Sequence, residues 1–276
     1  MTRPRHLLPV VIGLAALALT GCASGAGDST TEPSAAPTAA TDDLGGELTI
    51  FAAASLGGAF DELATEFEAA HPGLDVVPIT YDGSSVLATQ LIEGASADVF
   101  ASADEKNMTK VVDAGLADEP VDFATNVLEI AVAPDNPLGI AGLDDLADGA
   151  ATGADGGPIT VVVCAPEVPC GNAAQTLIAD AGITVTPASE EQNVTAVLTK
   201  VKAGEADAGL VYVTDVRAAG DAVAGVEIDD ADAATNVYPL AALTDAPNPD
   251  AAAAFVEFVA SEAGQQVLAS FGFGAP

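Results

Sequence analysis

The chain has 276 residues, enough for one large domain or two modest ones, each with its own core. It carries 41 acidic against 7 basic residues, a formal net charge of −34, which excludes nucleic acid and a basic membrane-binding patch. Half of the residues are hydrophobic, which is typical of a globular rather than a disordered protein. Two histidines and three cysteines leave little material for a metal centre, and we expect no cofactor.

The first 21 residues have the pattern of a bacterial export signal. Arg3 and Arg5 precede an apolar run over residues 7–19, which is short for a membrane span, and Cys22 follows where lipoproteins are modified. We interpret residues 1–21 as a lipoprotein signal peptide and Cys22 as the lipidated mature N-terminus; an ordinary signal with a chance cysteine is the alternative. A lipid with two or more acyl chains anchors a protein stably, so we expect the mature protein outside the cytoplasmic membrane.

A low-complexity segment separates this signal from the globular part of the chain. Residues 22–46 are rich in Ser, Thr, Ala, Pro and Gly and have no apolar period, which predicts a disordered tether. A glycosylated stalk is the alternative. Loss of residues 1–21 would leave 5 basic against 41 acidic residues, so the mature chain would carry a net charge of −36.

Strands and helices alternate from Glu47 onward in the order βαβαβα. Strands are predicted at 48–51, 74–80 and 98–100, and helices at 57–70, about 86–92 and 104–112. In the first helix, Phe60, Leu63 and Phe67 fall at helical spacing, while Asp104 is predicted to cap the third. Such βαβ units imply a parallel sheet with helices on both faces.

A second α/β unit is predicted to begin near residue 126. Strands are expected at 127–133, 159–163 and 210–213, and helices at 170–181 and 191–203. The closing elements, a strand at 237–243 and helices at 249–261 and 264–270, have no partner in this unit. We therefore expect two lobes, residues 47–125 plus 215–276 and residues 126–214. Each would be a mainly parallel sheet flanked by helices, with a ligand in the cleft between them.

Two strand-to-helix junctions of the first unit begin with hydroxyl side chains. Ser55 follows the predicted strand at 48–51, and Ser84 and Ser85 follow the next one. A hydroxyl at a helix start lies beside free backbone N–H groups and the positive end of the helix dipole, which together attract anions. Either serine alone is explained as a helix cap. Two of them at one edge of a parallel sheet favour a binding site for an anion.

Several segments resemble the periplasmic molybdate-binding proteins of ABC transporters. The resemblance covers residues 47–273 and depends on FAAASL at 51–56, GSSVLATQLIEGASADVFASAD at 83–104, VPCGNAAQTL at 168–177, GLVYVTD at 209–215 and YPLAAL at 238–243. It implies the two-lobed periplasmic-binding-protein fold and a monomeric receptor that catalyses no reaction. Such a receptor would capture molybdate, or tungstate, and deliver it to a membrane permease.

The resemblance also implies five residues that contact the oxyanion. Ser55, Ser84 and Tyr212 would donate from their hydroxyls, and Cys170 and Val194 from their backbone N–H groups. Without the resemblance, Tyr212 would be interpreted as a half-buried strand residue. All five groups are donors, which suits a fully deprotonated dianion such as molybdate, tungstate or sulfate. Molybdenum would therefore be held only as molybdate, through these same residues.

Cys164 and Cys170 are six positions apart in a chain that we expect to leave the cytoplasm. An oxidising compartment favours a disulfide between them, with free thiols as the alternative. If bridged, they would brace the loop that presents the Cys170 N–H. Two cysteines without a nearby histidine make a poor metal site.

Two other functions compete with molybdate capture. One is a sulfate receptor of the same fold. Sulfate has the same charge and shape as molybdate, and the two anions differ only in size. A serine hydrolase would use Ser55 or Ser84, but the only mature histidine, His71, lies in a helix-ending His-Pro-Gly segment. Neither serine lies in a nucleophile-elbow motif, so we predict that the protein is not an enzyme.

Overall fold

The structure, a computed structural model, describes residues 44–276. The predicted signal peptide, Cys22 and most of the predicted tether lie outside the described residues. The first strand begins at Gly45 and so includes the last two residues of the predicted tether. Within the described range, no helix has the length and apolar character needed to cross a membrane.

Twelve strands and eight helices follow one another along the described residues. The strands are β1 (Gly45–Leu48), β2 (Ile50–Ala53), β3 (Gly73–Val76), β4 (Thr80–Asp82), β5 (Val99–Ala101), β6 (Val121–Asn126), β7 (Leu128–Val132), β8 (Val161–Cys164), β9 (Ser189–Glu191), β10 (Ala208–Tyr212), β11 (Ala224–Val226) and β12 (Asn236–Ala242). The helices are α1 (Gly57–Ala70), α2 (Ser84–Ile92), α3 (Glu105–Asp113), α4 (Pro169–Asp180), α5 (Val194–Lys202), α6 (Val213–Ala219), α7 (Pro249–Ala260) and α8 (Glu262–Phe271). A 3₁₀ helix at Ala54–Leu56 joins β2 to α1.

Two five-stranded sheets have the same arrangement of strands. The first has the order β4-β2-β5-β12-β6 and the second, written from its opposite edge, β9-β8-β10-β7-β11. In each sheet four strands run in one direction and the fourth in the order, β12 or β7, runs against them. We call the first sheet with α1–α3, α7 and α8 the first lobe, and the second sheet with α4–α6 the second lobe. The predicted fold class, two mainly parallel sheets flanked by helices, is confirmed.

Helix α1 shows how the apolar pattern places an element. Phe60, Leu63 and Phe67 lie on one face and are buried against the first sheet, as their spacing predicts. The helix ends at Ala70, and the N–H of His71 donates to carbonyl oxygens of the last turn. Proline follows directly and cannot continue a helix.

The strand predicted at 74–80 is in fact two strands that belong to different sheets. β3 pairs with β1 in a separate two-stranded sheet, and β4 pairs with β2 in the first sheet. Pro78 lies between them and has no N–H to donate to a ladder, so the pairing is interrupted there.

The chain returns to the first lobe later than residue 215, where the sequence placed the crossing. β11 pairs with β7 and therefore extends the second sheet to Val226; only β12 lies again in the first sheet. The first crossing lies between Asn126, where β6 ends, and Leu128, where β7 begins. The sequence did not predict five short elements, β1, β6, β9, α6 and β11.

Candidate functional site

All five predicted ligand residues line one small cavity between the two lobes. The strands that lead to it end at Ala53, Asp82, Cys164 and Tyr212, so the cavity lies at the carboxyl edges of both sheets. Its lining consists of Ala53, Ala54, Ser55, Asp82, Gly83, Ser84, Ala103, Val168, Pro169, Cys170, Asn193, Val194 and Tyr212. This edge is where open α/β sheets bind ligands.

Three helices begin at this cavity. α2 starts at Ser84, α4 one residue before Cys170, and α5 at Val194. The first-turn N–H groups of a helix have no partner within it, and the helix dipole makes this end positive. The cavity therefore collects backbone donors and partial positive charge without any lysine or arginine in its lining, which is the requirement for an anion site.

The two serine hydroxyls are held by other groups of the protein. The N–H of Ala103 donates to Ser84 Oγ over 2.9 Å, so the serine's own proton remains available to the cavity. Ser55 Oγ lies 3.0 Å from the hydroxyl oxygen of Tyr238, a fully buried residue of β12. Tyr238 was not predicted as part of the site, because it lies 183 residues from Ser55 in sequence.

Tyr212 reaches the cavity from the end of β10. It is 1% exposed, and its hydroxyl has no hydrogen-bond partner in the described residues. Burial raises the pKa of this hydroxyl well above its usual value, so it remains a proton donor at neutral pH. An unpaired buried hydroxyl is unfavourable, and an anion in the cavity would supply the acceptor that it lacks.

The lobes touch each other beside the cavity. Asn193 Nδ2 donates to Asp82 Oδ1 over 2.8 Å, which joins the start of α5 to the end of β4. Gly83 packs so closely on the carbonyl oxygen of Gln192 that any Cβ at position 83 would overlap it. The structure therefore shows a closed cleft.

Asp82 is a carboxylate in the lining that the sequence did not predict. Its Oδ1 already accepts two hydrogen bonds, from the Gly83 N–H and from Asn193, both at 2.8 Å. Asn193 is also the N-cap of α5, because its Oδ1 accepts from the Ala196 N–H. The pair thus holds the lobes together and fixes the helix that presents Val194.

A disulfide joins Cys164, the last residue of β8, to Cys170 in the first turn of α4. Gly171 follows, and a Cβ there would overlap the carbonyl oxygen of Ala165. The cross-link and this close packing fix the start of α4 against the end of β8. The N–H of Cys170 is therefore held at the cavity from two directions.

A pair of buried carboxylates lies behind Tyr212 in the second lobe. Asp215 Oδ2 accepts the Tyr212 N–H over 3.0 Å. Burial, and then repulsion from Glu129, raises the pKa of Asp215 to about 7, although the bond from Tyr212 opposes the shift. Burial and the nearby Glu227 likewise raise the pKa of Glu129 to about 7. These groups carry partial charge near neutral pH, close to the tyrosine that lines the cavity.

The described residues do not form the arrangement that a serine hydrolase or a metal site would need. His71 stacks on Phe67, with ring centroids 4.7 Å apart, and is absent from the cavity lining. Asp104 caps α3, as predicted, by accepting the Asn107 N–H over 2.8 Å. Among residues 44–276, no group of three or more His, Cys, Asp or Glu side chains is placed to hold a metal ion.

Comparisons with known proteins agree with this fold and site. Residues 48–274 match the family model described as bacterial extracellular solute-binding protein. The molybdate-binding protein ModA of Mycobacterium tuberculosis is 44% identical over 230 residues, which cover 83% of this chain and 85% of that protein.

Two solved structures share the fold at lower identity. The periplasmic molybdate-binding protein of Azotobacter vinelandii has a TM-score of 0.68 at 19% identity, covering 83% of this chain and 99% of that one. The sulfate-binding protein SubI of Mycobacterium tuberculosis has a TM-score of 0.70 at 20% identity, covering 82% and 86%. The chain therefore belongs to the bacterial extracellular solute-binding protein family, as its motifs indicated, and is a solute-binding protein rather than an enzyme.

Proposed function

We propose that this protein captures molybdate, and equally tungstate, outside the cytoplasmic membrane and delivers it to an ABC transporter permease. The observation that carries the proposal is the convergence of donors from both lobes on one cavity, among them the unpartnered hydroxyl of Tyr212. The ModA relative at 44% identity supports molybdate as the ligand. Tungstate has nearly the same radius and charge, and nothing in the lining distinguishes the two.

Donors alone can account for tight binding. A hydrogen bond to a charged group contributes roughly 1.5–3 kcal/mol, and five such bonds remain favourable after the costs of closure and ordering. The expected Kd is then on the order of micromolar to nanomolar. Because Ser55 and Ser84 belong to the first lobe and the other three residues to the second, the anion contacts both lobes only when the cleft is closed. This difference in affinity makes the ligand favour the closed form.

The ligand is tested by calorimetric titration of the purified protein with molybdate, tungstate, sulfate and phosphate. We expect one-to-one binding of molybdate and tungstate with similar Kd values and weak or absent binding of sulfate. Tight sulfate binding would mean that the cavity is an anion site whose ligand is sulfate, the alternative, rather than molybdate. The absence of heat with every oxyanion would overturn the assignment of the cavity.

Single hydroxyl deletions test the site itself. Ser55→Ala and Tyr212→Phe each remove one donor and should weaken molybdate binding about 10- to 100-fold. Tyr81→Phe is the matched control, because the Tyr81 hydroxyl bonds to Gly57 and Asp61 and does not line the cavity. Equal affinities for all four proteins would contradict the proposed ligand set.

We also propose that a lipid on Cys22 anchors the protein to the membrane. Membrane fractions of cells that express the full chain should contain the protein and incorporate labelled fatty acid. Cys22→Ala should abolish the label and release the protein from the membrane. A labelled or membrane-bound Cys22→Ala variant would contradict anchoring through this residue.

A further inference from the structure

The two serines of the site differ in what fixes the direction of their hydroxyl protons. Ser84 Oγ accepts from a backbone N–H, which can only donate, so Ser84 must direct its proton elsewhere. Ser55 Oγ faces the hydroxyl of Tyr238, and such a pair can bond in either direction. In one direction Ser55 offers a proton to the cavity, and in the other it offers a lone pair. Only the first suits an anion without protons.

Asn126 decides between these directions. Its Oδ1 accepts the backbone N–H of Val127 over 3.0 Å, which fixes the orientation of the amide. Its Nδ2 therefore faces Thr214 Oγ1, at 2.8 Å, and the Tyr238 hydroxyl, at the longer distance of 3.5 Å. An amide NH₂ group donates two protons and accepts none. Tyr238 consequently has a donor on this side.

The proton of Tyr238 then has one destination. In the described part of the chain, its hydroxyl makes hydrogen bonds of 3.5 Å or less only with Asn126 Nδ2 and Ser55 Oγ, and the serine oxygen is the only acceptor of the two. The Tyr212 hydroxyl lies close enough to affect the pKa of Tyr238 but makes no hydrogen bond of this length. Donation from Ser55 to Tyr238 would leave a fully buried O–H group without an acceptor, which is unfavourable. The rings of Tyr212, Phe123 and Phe273 surround Tyr238 and hold its hydroxyl in place.

We infer that Asn126 and Tyr238 are positioning residues that orient the Ser55 hydroxyl, so that the site selects fully deprotonated tetrahedral oxyanions over those that carry a proton. The protons run from Asn126 Nδ2 to the Tyr238 oxygen, from Tyr238 to Ser55 Oγ, and from Ser55 into the cavity. This inference deepens the proposed function and depends on it for the identity of the ligand. Asn126 is the last residue of β6, where the chain passes from the first lobe to the second. The series of hydrogen bonds that orients Ser55 therefore starts at this crossing.

A double-mutant cycle tests whether Tyr238 acts through Ser55. Wild type, Tyr238→Phe, Ser55→Ala and the double variant are titrated with molybdate, and also with sulfate and with phosphate at pH 8. Tyr238→Phe should weaken molybdate binding about tenfold, the effect of one ordinary hydrogen bond. The same change made in Ser55→Ala should alter the Kd less than about twofold. Losses that simply add would overturn the inference.

Selectivity provides a readout that a merely structural role would not change. In Tyr238→Phe, Ser55 is free to accept a proton, so the affinity for hydrogen phosphate relative to molybdate should rise at least about tenfold. An unchanged ratio would overturn the inference even if molybdate binding weakens. Tyr81→Phe should match wild type in both affinity and ratio. If wild type binds sulfate and not molybdate, the proposed ligand fails, and the same cycle with sulfate still tests the orientation.

A measurement without ligand tests the proton direction itself. Neutron diffraction from crystals of the deuterated protein should place the Tyr238 deuteron on the line to Ser55 Oγ. A deuteron on Ser55 directed at Tyr238 would overturn the inference whether or not any oxyanion binds. Asn126→Asp replaces the donor by an acceptor of the same shape and should turn the Tyr238 deuteron toward residue 126. This variant should weaken molybdate binding more than Tyr238→Phe does.

Discussion

The two lobes share one strand arrangement but are built from different side chains. All nine phenylalanines lie in the first lobe, where the ring of Phe255 packs edge to face on those of Phe60 and Phe67, with centroid distances of 6.0 and 5.3 Å. The buried cluster of the second lobe contains Val, Leu, Ile, Ala and Cys, with Tyr212 as its one aromatic residue. The second lobe instead contains a disulfide and a pair of buried carboxylates. The shared topology therefore does not require a shared core.

The lobes also differ in how they present donors to the cavity. The first offers serine hydroxyls, whose direction depends on Ala103 and Tyr238. The second offers N–H groups at helix starts, which point where the backbone points, and a tyrosine hydroxyl. Apart from Tyr212, the second lobe thus supplies backbone donors that side-chain substitution barely changes, whereas the hydroxyl donors of the first lobe can be altered by single substitutions. Selectivity should accordingly be easier to change from the first lobe.

The largest expected effect is on the aromatic core. Phe255→Ala removes a fully buried ring from the first lobe and should lower the free energy of unfolding by about 3–5 kcal/mol. Val197→Ala, at a fully buried position of the second lobe, removes fewer atoms and should cost about 1.5–3 kcal/mol. Urea denaturation monitored by circular dichroism measures both. Equal losses would show that the two cores contribute alike despite their composition.

The next effect is on closure, where the lobes meet at Gly83. Its φ of −60° and ψ of 137° suit any residue, so Gly83→Ala should leave each lobe folded. The added Cβ would overlap the carbonyl oxygen of Gln192 and prevent closure, so the Kd for molybdate should rise at least about 100-fold.

Gly57→Ala is the control for Gly83→Ala, since a Cβ there meets no atom within 4 Å. It should bind as wild type does, and both variants should melt at the wild-type temperature. A Gly83→Ala protein that binds normally would mean that binding does not require the close approach at Gln192. A lowered melting temperature of Gly83→Ala would mean that its weaker binding results from impaired folding rather than from blocked closure.

The carboxylates of the second lobe should make its stability depend on pH. The pKa of Asp215 is about 7 in the folded protein, above the value of an ordinary aspartate, so the folded state binds more protons than the unfolded state between about pH 4 and pH 7. The free energy of unfolding should therefore fall as the pH rises through this window. Asp215→Asn keeps an acceptor for the Tyr212 N–H and should be more stable than wild type by roughly 1–3 kcal/mol at pH 8.

The same Asp215→Asn variant should gain little at pH 4, where the folded wild-type carboxyl is protonated and the unfolded one is already about half protonated. Denaturant titrations at pH 4, 6 and 8 provide the comparison. Asp118→Asn removes one charge from an exposed position and is the matched control. A wild-type stability that rises between pH 5 and pH 7, or an Asp118→Asn gain as large, would contradict the assignment to Asp215.

The sequence predicted the long elements better than the short ones. Helix α1 could be predicted because its buried positions recur at helical spacing over 14 residues. β9 and β11 have three residues each, too few to show a period, and α6 has seven. β6 pairs with β12 and with Gly274, both more than 100 residues away, so no local pattern marks it.

The residues of the site also differ in whether a local sequence pattern marks them. Ser55 and Ser84 follow strand ends and begin helical segments, which is a local signal, and the resemblance adds Cys170, Val194 and Tyr212. Tyr238 and Asn193 act through partners 183 and 111 residues away, and nothing in their neighbourhoods indicates those contacts. Sequence reasoning thus finds residues that line the cavity more readily than the distant residues that contact them.

The smallest expected effect concerns how the anion arrives, because the local donors and the net charge oppose each other. The mature chain would carry a charge of −36, which repels a dianion at long range, while the helix dipoles attract it only at contact. Salt screens the long-range repulsion over about 10 Å at 0.1 M. The association rate for molybdate, measured by stopped-flow fluorescence, should therefore rise about 2- to 5-fold between 10 and 200 mM sodium chloride. The dissociation rate should change less, since the bound anion lies in a closed cleft. An association rate that falls with salt would show that the dipoles of the two lobes, rather than the acidic surface, govern the encounter.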